Sequence, residues 1–213
     1  MALDLAKTKE VFDKLFHDVN GRALSLKGRE QEEFKSKSFV YGEVLPDSFY
    51  DIIQEVYAPG VPGQVFYDLG SGTGKAVLLA HLLFDFEKSK GIELVDQLYD
   101  ASAEVKKRYD SEVKHTLGDA VKGRDIQMTL GSFLDADLTD ADVIFMNSTC
   151  FQDDLMELLE EKLETVRPHC HIISLSKSFK SPSFHQYKHK MQEFSWGQAT
   201  VFYHRKRLWK LYF

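Results

Sequence analysis

A glycine-rich turn between a strand pattern and a helix pattern constrains this chain more than any other feature. Apolar residues 65–67 precede Asp68, glycines recur from Gly70 to Gly74, and an apolar helical segment occupies residues 75–84. A strand, a glycine turn and a helix in this order are typical of α/β proteins that bind a ligand beside the amino end of the helix. The pattern therefore predicts a ligand site where the first strand ends.

Three classes of ligand site contain a glycine-rich turn of this kind. A phosphate-binding P-loop needs a glycine and a hydroxyl residue at the positions of Leu69 and Ala76, so this interpretation fails. A dinucleotide site needs a later third glycine, and the Asp68 carboxylate would repel a pyrophosphate. S-adenosylmethionine fits better, because its ammonium favours Asp68 and its carboxylate favours backbone N–H groups at a helix start. The turn therefore indicates an S-adenosylmethionine site.

A second acidic residue supports this interpretation. Glu93 ends the next strand pattern, 23 residues after Gly70. In related folds an acidic residue about 20 residues downstream of the glycine turn binds ribose hydroxyls. The alternative is a nucleotide-binding-like fold that has lost its cofactor.

The chain after residue 60 alternates between strand and helix patterns. Strand patterns occur at 65–67, 90–93, 127–130, 143–146 and 171–175, and helical patterns at 75–84, 97–109 and 153–166. This alternation predicts a Rossmann-like α/β domain over residues 61–213, with helices on both faces of a mostly parallel twisted sheet. Residues 191–194 and 200–203 predict a C-terminal antiparallel hairpin.

Residues 1–60 lack the alternation of strand and helix patterns. Apolar residues at helical spacing predict one helix that includes residues 11–16 and a second that starts near Asp47. Residues 27–37 are dense in both charges and predict a linker. We therefore expect a helical N-terminal extension over residues 1–60.

Composition excludes several classes of protein. Apolar residues make up 43% of the chain, which is enough for a packed core. No apolar run approaches the roughly 20 residues needed to cross a bilayer, so no membrane partner is expected. Two cysteines cannot build a disulfide framework. The His169-Cys170-His171 run lacks a second ligand cluster at zinc spacing, so no metal site is expected.

Charge is distributed unevenly. Residues 175–213 contain eight basic residues and one acidic residue, a net charge of +7, whereas the rest of the chain carries −13. This segment predicts a surface for an anionic partner, with Arg205, Lys206 and Arg207 as candidate contacts. The alternative is a solvated basic edge without a partner.

Several segments together resemble the disruptor-of-telomeric-silencing family of histone lysine methyltransferases, which lack a SET domain. They are Val40-Tyr41-Gly42-Glu43, residues 68–74, Gly91-Ile92-Glu93, Gly131-Ser132-Phe133-Leu134, Val143-Ile144-Phe145-Met146-Asn147, residues 174–179 and the closing 195–203 hairpin. The resemblance covers about residues 39–206. It implies a class I methyltransferase fold that uses S-adenosylmethionine.

The resemblance implies roles for individual residues on the cofactor side. Asp68 and Gly70 would hold the methionine end, Glu93 the ribose hydroxyls, and Phe133 the adenine. The lid and the remaining cofactor contacts would come from Tyr41, Glu43, Ser71, Gly72, Gly74, Ser132 and Asn147.

On the acceptor side, Asn147 would lie at the mouth of the methyl-transfer site and Phe151 would wall the lysine channel. Lysine must be neutral to accept a methyl group, and an aromatic channel favours the neutral amine, which adds Tyr203 as a candidate. The alternative for each aromatic residue is plain core packing.

The sequence departs from the family pattern at three positions. Ser132 stands where the family has an acidic residue, Ser148 where it has a second asparagine, and Phe202 where it has a channel tyrosine. The expected acceptor is a lysine of a core histone of the H3 type. The alternatives are a non-histone protein, a small molecule, or a non-catalytic chromatin module that binds the cofactor. A histone acceptor implies a nuclear location with weak nucleic-acid contacts through the basic C-terminal segment, and the other acceptors a cytoplasmic one.

Overall fold

The computed structural model describes residues 2–31 and 42–208, without the side chains of 29–31. The α-helices in this part of the chain are α1 (Leu5–Phe16), α2 (Gly21–Gln31), α3 (Pro46–Ile53), α4 (Lys75–Leu83), α5 (Asp96–Arg108) and α6 (Asp153–Leu163). The strands are β1 (Val65–Leu69), β2 (Lys88–Glu93), β3 (Asp125–Leu130), β4 (Val143–Met146), β5 (His171–Leu175), β6 (Phe184–Phe194) and β7 (Gly197–Lys206). None of these helices is long and apolar enough to span a bilayer.

The strands form one sheet in the order β3-β2-β1-β4-β5-β7-β6. The first five positions are parallel, and β7 is antiparallel to both β5 and β6. The chain leaves β1 towards one side of the sheet and returns to β4 on the other side. The carboxyl ends of β1 and β4 therefore flank a topological switch point, where such sheets bind ligands. The predicted fold class is confirmed.

Helices cover both faces of the sheet, and the buried apolar residues form one cluster on each face. On one face α4 is buried almost all round, and α1 and α3 pack against it. Phe49 of α3 makes edge contacts with Phe66 and Phe145, at ring-centroid distances of 5.9 and 5.7 Å. On the other face α6 buries Met156 and Leu159. The N-terminal helices and the sheet share one core, and the division into residues 1–60 and 61–213 stays a prediction.

One helix was not predicted. Residues 21–31 form α2, although part of this range has the charged composition that predicts a linker. The Asn20 side chain accepts a hydrogen bond from the Ala23 N–H at 3.0 Å, an N-cap contact that starts the helix. The face of α2 towards α5 carries small residues, since Ser25 is buried and a Cβ on Gly28 would lie 2.4 Å from Val95. A helix that packs through small residues lacks the apolar periodicity on which the prediction relied.

Candidate functional site

A cavity of about 240 Å³ lies at the carboxyl ends of β1, β2 and β4. It brings together most of the residues that the sequence analysis selected. Those in its lining are Glu43, Asp68, Gly70, Ser71, Gly72, Glu93, Ser132, Phe133, Asn147 and Phe151. The cavity therefore lies at the topological switch point that the strand order predicts.

The glycine turn adopts a backbone that only glycine accepts readily. Gly70, Gly72 and Gly74 have φ values of 81°, 55° and 83°. Gly74 lies outside the cavity lining and serves packing instead, because a Cβ there would lie 2.6 Å from the Met128 Cε atom. The turn thus directs backbone towards the cavity and lets α4 begin close to the sheet.

Asp68 is a buried carboxylate without a hydrogen-bond donor among the described residues. It is 4% exposed and lines the cavity. Burial, together with the negative charge of Glu93, raises the pKa of Asp68 to about 8. A buried carboxylate in this setting favours a positively charged group beside it.

Glu93 is held in place by two backbone N–H groups. Its Oε2 atom accepts from Gly72 at 2.7 Å and its Oε1 atom from Val95 at 2.9 Å. These bonds join the end of β2 to the glycine turn and fix the direction of the carboxylate. A carboxylate oriented in this way can accept hydrogen bonds from hydroxyl groups of a ligand.

Two aromatic rings form an apolar wall of the cavity. Phe133 and Phe151 stack at a centroid distance of 5.8 Å with an interplanar angle of 24°. The Ser132 Oγ atom accepts from the Leu134 N–H at 3.1 Å, which fixes the turn that carries Phe133. A planar apolar ligand group could pack against this wall.

Asn147 follows β4 directly and is anchored at one end of its side chain. Its Nδ2 atom donates to the Gly42 carbonyl at 3.1 Å. Because a carbonyl needs a donor, the nitrogen must face Gly42 and the Oδ1 atom is the other end. Oδ1 is buried and accepts no hydrogen bond from any described residue. Asn147 therefore offers an oriented acceptor in the cavity lining.

Residues 42–44 line the cavity and are tied to the glycine turn by an ion pair that the sequence analysis missed. The Lys75 Nζ atom donates to Glu43 Oε2 at 2.5 Å, and both side chains are largely shielded from solvent. Lys75 also lies over the rings of Phe12 and Phe16, 5.7 and 5.3 Å from their centroids. We call residues 42–44 the strap.

The turn between β6 and β7 holds the strap from the other side. The Ser195 Oγ atom donates to the Glu43 carbonyl at 3.0 Å. The Trp196 ring lies directly on Gly42, where a Cβ would come within 2.9 Å of it. No local pattern signals these contacts, because they join residues more than 150 positions apart. The only signal in the sequence is an aromatic residue, Trp196, in the predicted hairpin turn, where a polar residue is more usual.

Besides Gly74, two of the selected residues are not among those that line the cavity. Tyr203 is fully buried within β7, opposite Ile173 of β5, and lies outside the cavity lining. Burial raises its pKa, and its hydroxyl has no partner among the described residues. The alternative of core packing fits Tyr203 here. Tyr41 lies outside the described residues.

One of the three cations selected in the C-terminal segment is not available to a partner. Side chains alternate along β7 and the residue after it, so Arg205 and Arg207 are exposed while Lys206 points to the other face. Lys206 is 8% exposed and forms an ion pair with Glu164. The prediction that residues 205, 206 and 207 all contact a partner is wrong at Lys206.

Comparison with known proteins places the chain in a family. The family model described as histone methylation protein DOT1 matches residues 21–203. The H3 lysine-79-specific histone-lysine N-methyltransferase of Eremothecium gossypii is 31% identical, over 80% of this chain and 31% of its own length. The Kluyveromyces lactis enzyme of the same name is 29% identical, over 80% of this chain and 30% of its own length. The chain thus spans about a third of these curated relatives.

Solved structures support the fold. An RNA methyltransferase from Salinibacter ruber in complex with S-adenosyl-L-homocysteine has a TM-score of 0.56 at 16% identity, covering 80% of this chain and 97% of that one. TrmN from Thermus thermophilus has a TM-score of 0.57 at 17% identity, covering 80% and 51%. Both share the Rossmann-like methyltransferase fold, and the resemblance drawn from the motifs is confirmed: the chain belongs to the DOT1 histone methylation family.

Proposed function

We propose that this protein is an S-adenosylmethionine-dependent methyltransferase that acts on a lysine of a core histone of the H3 type, in the nucleus. The single observation that carries the cofactor part is the Asp68 carboxylate, which is buried in the cavity without a hydrogen-bond donor among the described residues. Family membership and the names of the curated relatives carry the acceptor part.

The polar and aromatic groups that line the cavity fit the cofactor. Asp68 would bind the ammonium of the methionine portion, and the amino end of α4 would favour its carboxylate. Glu93, oriented by two backbone bonds, would accept hydrogen bonds from the ribose hydroxyls. Phe133 would pack against the adenine. When bound, S-adenosylmethionine supplies an electrophilic methyl group on a positively charged sulfur.

The acceptor side must supply a neutral amine. At physiological pH a solvated lysine pays about 4 kcal/mol to lose its proton, since its pKa is near 10.4. Burial beside Phe151 and Trp196 would lower that pKa, because a desolvated ammonium is disfavoured. The unpartnered Oδ1 atom of Asn147 would accept an N–H of the amine. This contact would aim the nitrogen lone pair at the methyl group, which is the alignment that methyl transfer requires.

The strap would enclose the reacting groups. Gly42 carries the carbonyl that anchors Asn147, and Glu43 holds Lys75 at the start of α4. The cofactor side and the acceptor side are therefore connected through two adjacent residues. Enclosure of this kind excludes competing water from the methyl group.

The test is transfer of labelled methyl groups from S-adenosylmethionine to reconstituted nucleosomes, free histones and a cell extract, with the modified residue identified by mass spectrometry. We expect label on a histone lysine with the wild-type protein and at least about tenfold less with Asp68→Asn at a cofactor concentration below saturation. The fully exposed Asp119 gives a matched control variant, Asp119→Asn, which should retain full activity. If only non-histone proteins are labelled, the acceptor is a non-histone protein and the histone assignment is wrong. Binding of S-adenosylhomocysteine without transfer to any substrate would indicate a cofactor-binding module.

A further inference from the structure

Helix α2 contributes to the wall of the cavity, although it belongs to the N-terminal helices and precedes the glycine turn by about 40 residues. Its Ser25 side chain is 1% exposed and lies in the cavity lining. Val95 and Leu98, from the start of α5, belong to the same lining, and α2 packs against α5. The candidate cofactor site therefore includes an element that the sequence analysis did not select.

The contact between α2 and α5 depends on small residues. Gly21, Ser25 and Gly28 are buried, and their helical spacing places them on one face of α2. A Cβ on Gly28 would lie 2.4 Å from the Val95 Cγ1 atom and 2.6 Å from the Gln97 Oε1 atom. The Gln97 amide ends a flexible side chain and can turn aside. Val95 is β-branched and 2% exposed, so its side chain has little freedom to do so.

Val95 connects this contact with Glu93. Its backbone N–H donates to Glu93 Oε1 at 2.9 Å, which is one of the two bonds that fix the direction of the carboxylate. The Val95 carbonyl accepts from the Leu98 and Tyr99 N–H groups at 3.0 Å, at the start of α5. A displacement of Val95 would therefore disturb the Glu93 carboxylate and the first turn of α5 together.

We propose that Gly28 is a positioning residue of the cofactor site. The close approach that it permits keeps Val95 where its N–H directs the Glu93 carboxylate towards the ribose hydroxyls, and keeps Ser25 in the cavity wall. Gly28 lies outside the cavity lining, so it acts through Val95. The inference rests on the proposed function, because it takes the ribose of S-adenosylmethionine as the ligand of Glu93.

A methyl group at residue 28 would create a clash that can be relieved in two ways. If Val95 moves, the Glu93 carboxylate loses the bond that orients it. If α2 moves instead, the wall that Ser25 forms opens, and water competes with the ribose hydroxyls for Glu93. Glu93 is 7% exposed, so such water would enter a site that is otherwise nearly closed to solvent. Both movements weaken recognition of the ribose.

Helix propensity opposes this effect, which makes the substitution informative. Alanine is the strongest helix former and glycine is one of the weakest, so Gly28→Ala should favour the helical state of α2 itself. The added methyl group should at the same time force α2 and Val95 apart. A loss of ribose recognition in Gly28→Ala would therefore report the packing contact and not a loss of helix.

The test compares two probes by isothermal titration calorimetry: S-adenosylhomocysteine and its analogue without the two ribose hydroxyls. Hydrogen bonds to a charged acceptor are strong enough that the wild-type protein should prefer S-adenosylhomocysteine by at least about tenfold. Gly28→Ala should bind the two compounds nearly equally well, through a loss of affinity for S-adenosylhomocysteine. A residue with only a structural role would weaken the binding of both probes by the same factor and leave the preference unchanged.

Size compensation tests whether the contact is with Val95. Val95→Ala removes the methyl group that the new Cβ meets and keeps the N–H that donates to Glu93. In the double variant Gly28→Ala/Val95→Ala the preference should largely return. The control variant Lys27→Ala changes the adjacent, exposed residue of α2 and should keep the full preference. If Gly28→Ala melts at too low a temperature for titration, Val95→Ile enlarges the other side of the contact and should lower the preference in the same direction.

Four outcomes would overturn the proposal. They are an unchanged preference in Gly28→Ala, an equal loss of affinity for both probes, a double variant that does not regain the preference, and a wild-type protein that binds both probes equally. Each of them leaves binding of S-adenosylhomocysteine by the wild-type protein, and with it the proposed function, standing. A wild-type protein that binds neither probe would contradict the cofactor part of the proposed function, and this proposal with it.

Discussion

The two sides of the cavity are built in different ways. The cofactor side comes from short segments at the ends of parallel strands: Asp68 near the end of β1, the glycine turn after it, and Glu93 at the end of β2. The acceptor side is assembled from contacts between distant parts of the chain, because Asn147 bonds to Gly42 and Ser195 bonds to Glu43. A contiguous motif is therefore sufficient to position the groups of the cofactor side, whereas the groups of the acceptor side come together only in the complete fold.

The largest effect is expected on the cofactor side. Replacing Asp68 with Asn keeps the shape but removes the negative charge that would bind the ammonium. A charge-assisted hydrogen bond contributes about 1.5–3 kcal/mol, so affinity for S-adenosylhomocysteine should fall roughly 10- to 150-fold. Isothermal titration calorimetry measures this, with Asp119→Asn as the control. Unchanged affinity in Asp68→Asn would remove Asp68 from the cofactor site.

A change on the acceptor side should separate rate from cofactor affinity. Asn147→Ala removes both the anchor to Gly42 and the oriented Oδ1 atom. Misalignment of the acceptor should lower kcat by about 10- to 100-fold. Affinity for S-adenosylhomocysteine should stay within about threefold. Equal losses in rate and affinity would make Asn147 a cofactor contact or a structural residue.

The strap offers a test of the connection between the two sides. Gly42→Ala places a methyl group 2.9 Å from the Trp196 ring and 3.2 Å from the Asn147 amide, so one of them must move. Overpacking of this kind costs about 1–3 kcal/mol, and kcat/KM should fall about tenfold. In the double variant Gly42→Ala/Trp196→Ala the clash with the ring is absent, and the two effects should be less than additive. Additive losses would show that the strap and the hairpin turn act independently.

The last effect concerns stability and does not depend on any ligand. The pKa of Asp68 is about 8 in the folded protein, well above its ordinary value of 3.8. Between these values the unfolded chain has released a proton that the folded protein keeps, so the free energy of unfolding should fall as pH rises from about 4 to 8. Asp68→Asn should remove this dependence and raise the melting temperature by a few degrees at pH 8. The measurement is thermal melting at several pH values. An identical pH profile for both proteins would contradict the pKa shift.

The sequence was sufficient for the elements that carry regular patterns. The buried strands β4 and β5 were predicted to the residue, and α4 and α5 within one residue of their ends. The strands β2 and β3 each begin two residues earlier than predicted, because Lys88 and Asp125 extend the pairing with polar side chains. The hairpin is longer than predicted for a related reason: the first half of β6 is an exposed edge strand with little apolar alternation.

The residues of the candidate site also divide into those that the sequence could predict and those that it could not. Asp68, Glu93 and the glycine turn carry local signals of a ligand, since acidic residues and glycines follow strands. Lys75 carries no such signal, because its partner Glu43 is 32 positions away. Tyr203 was selected for its chemistry alone, and its position on β7 turns it into the core. Residue type predicts function where a strand end positions it, and fails where only packing decides which way a side chain points.

The proton balance of cofactor binding tests the central claim most directly. If Asp68 holds a proton in the free protein and a cation in the complex, binding of S-adenosylhomocysteine below about pH 8 must release that proton. Calorimetry in buffers of different ionisation enthalpy at pH 6.5 should show release of close to one proton with the wild-type protein and none from this position with Asp68→Asn. Affinity of the wild-type protein should rise with pH up to about 8. Tight binding of S-adenosylhomocysteine with no proton released, and with the same affinity in both proteins, would contradict the account.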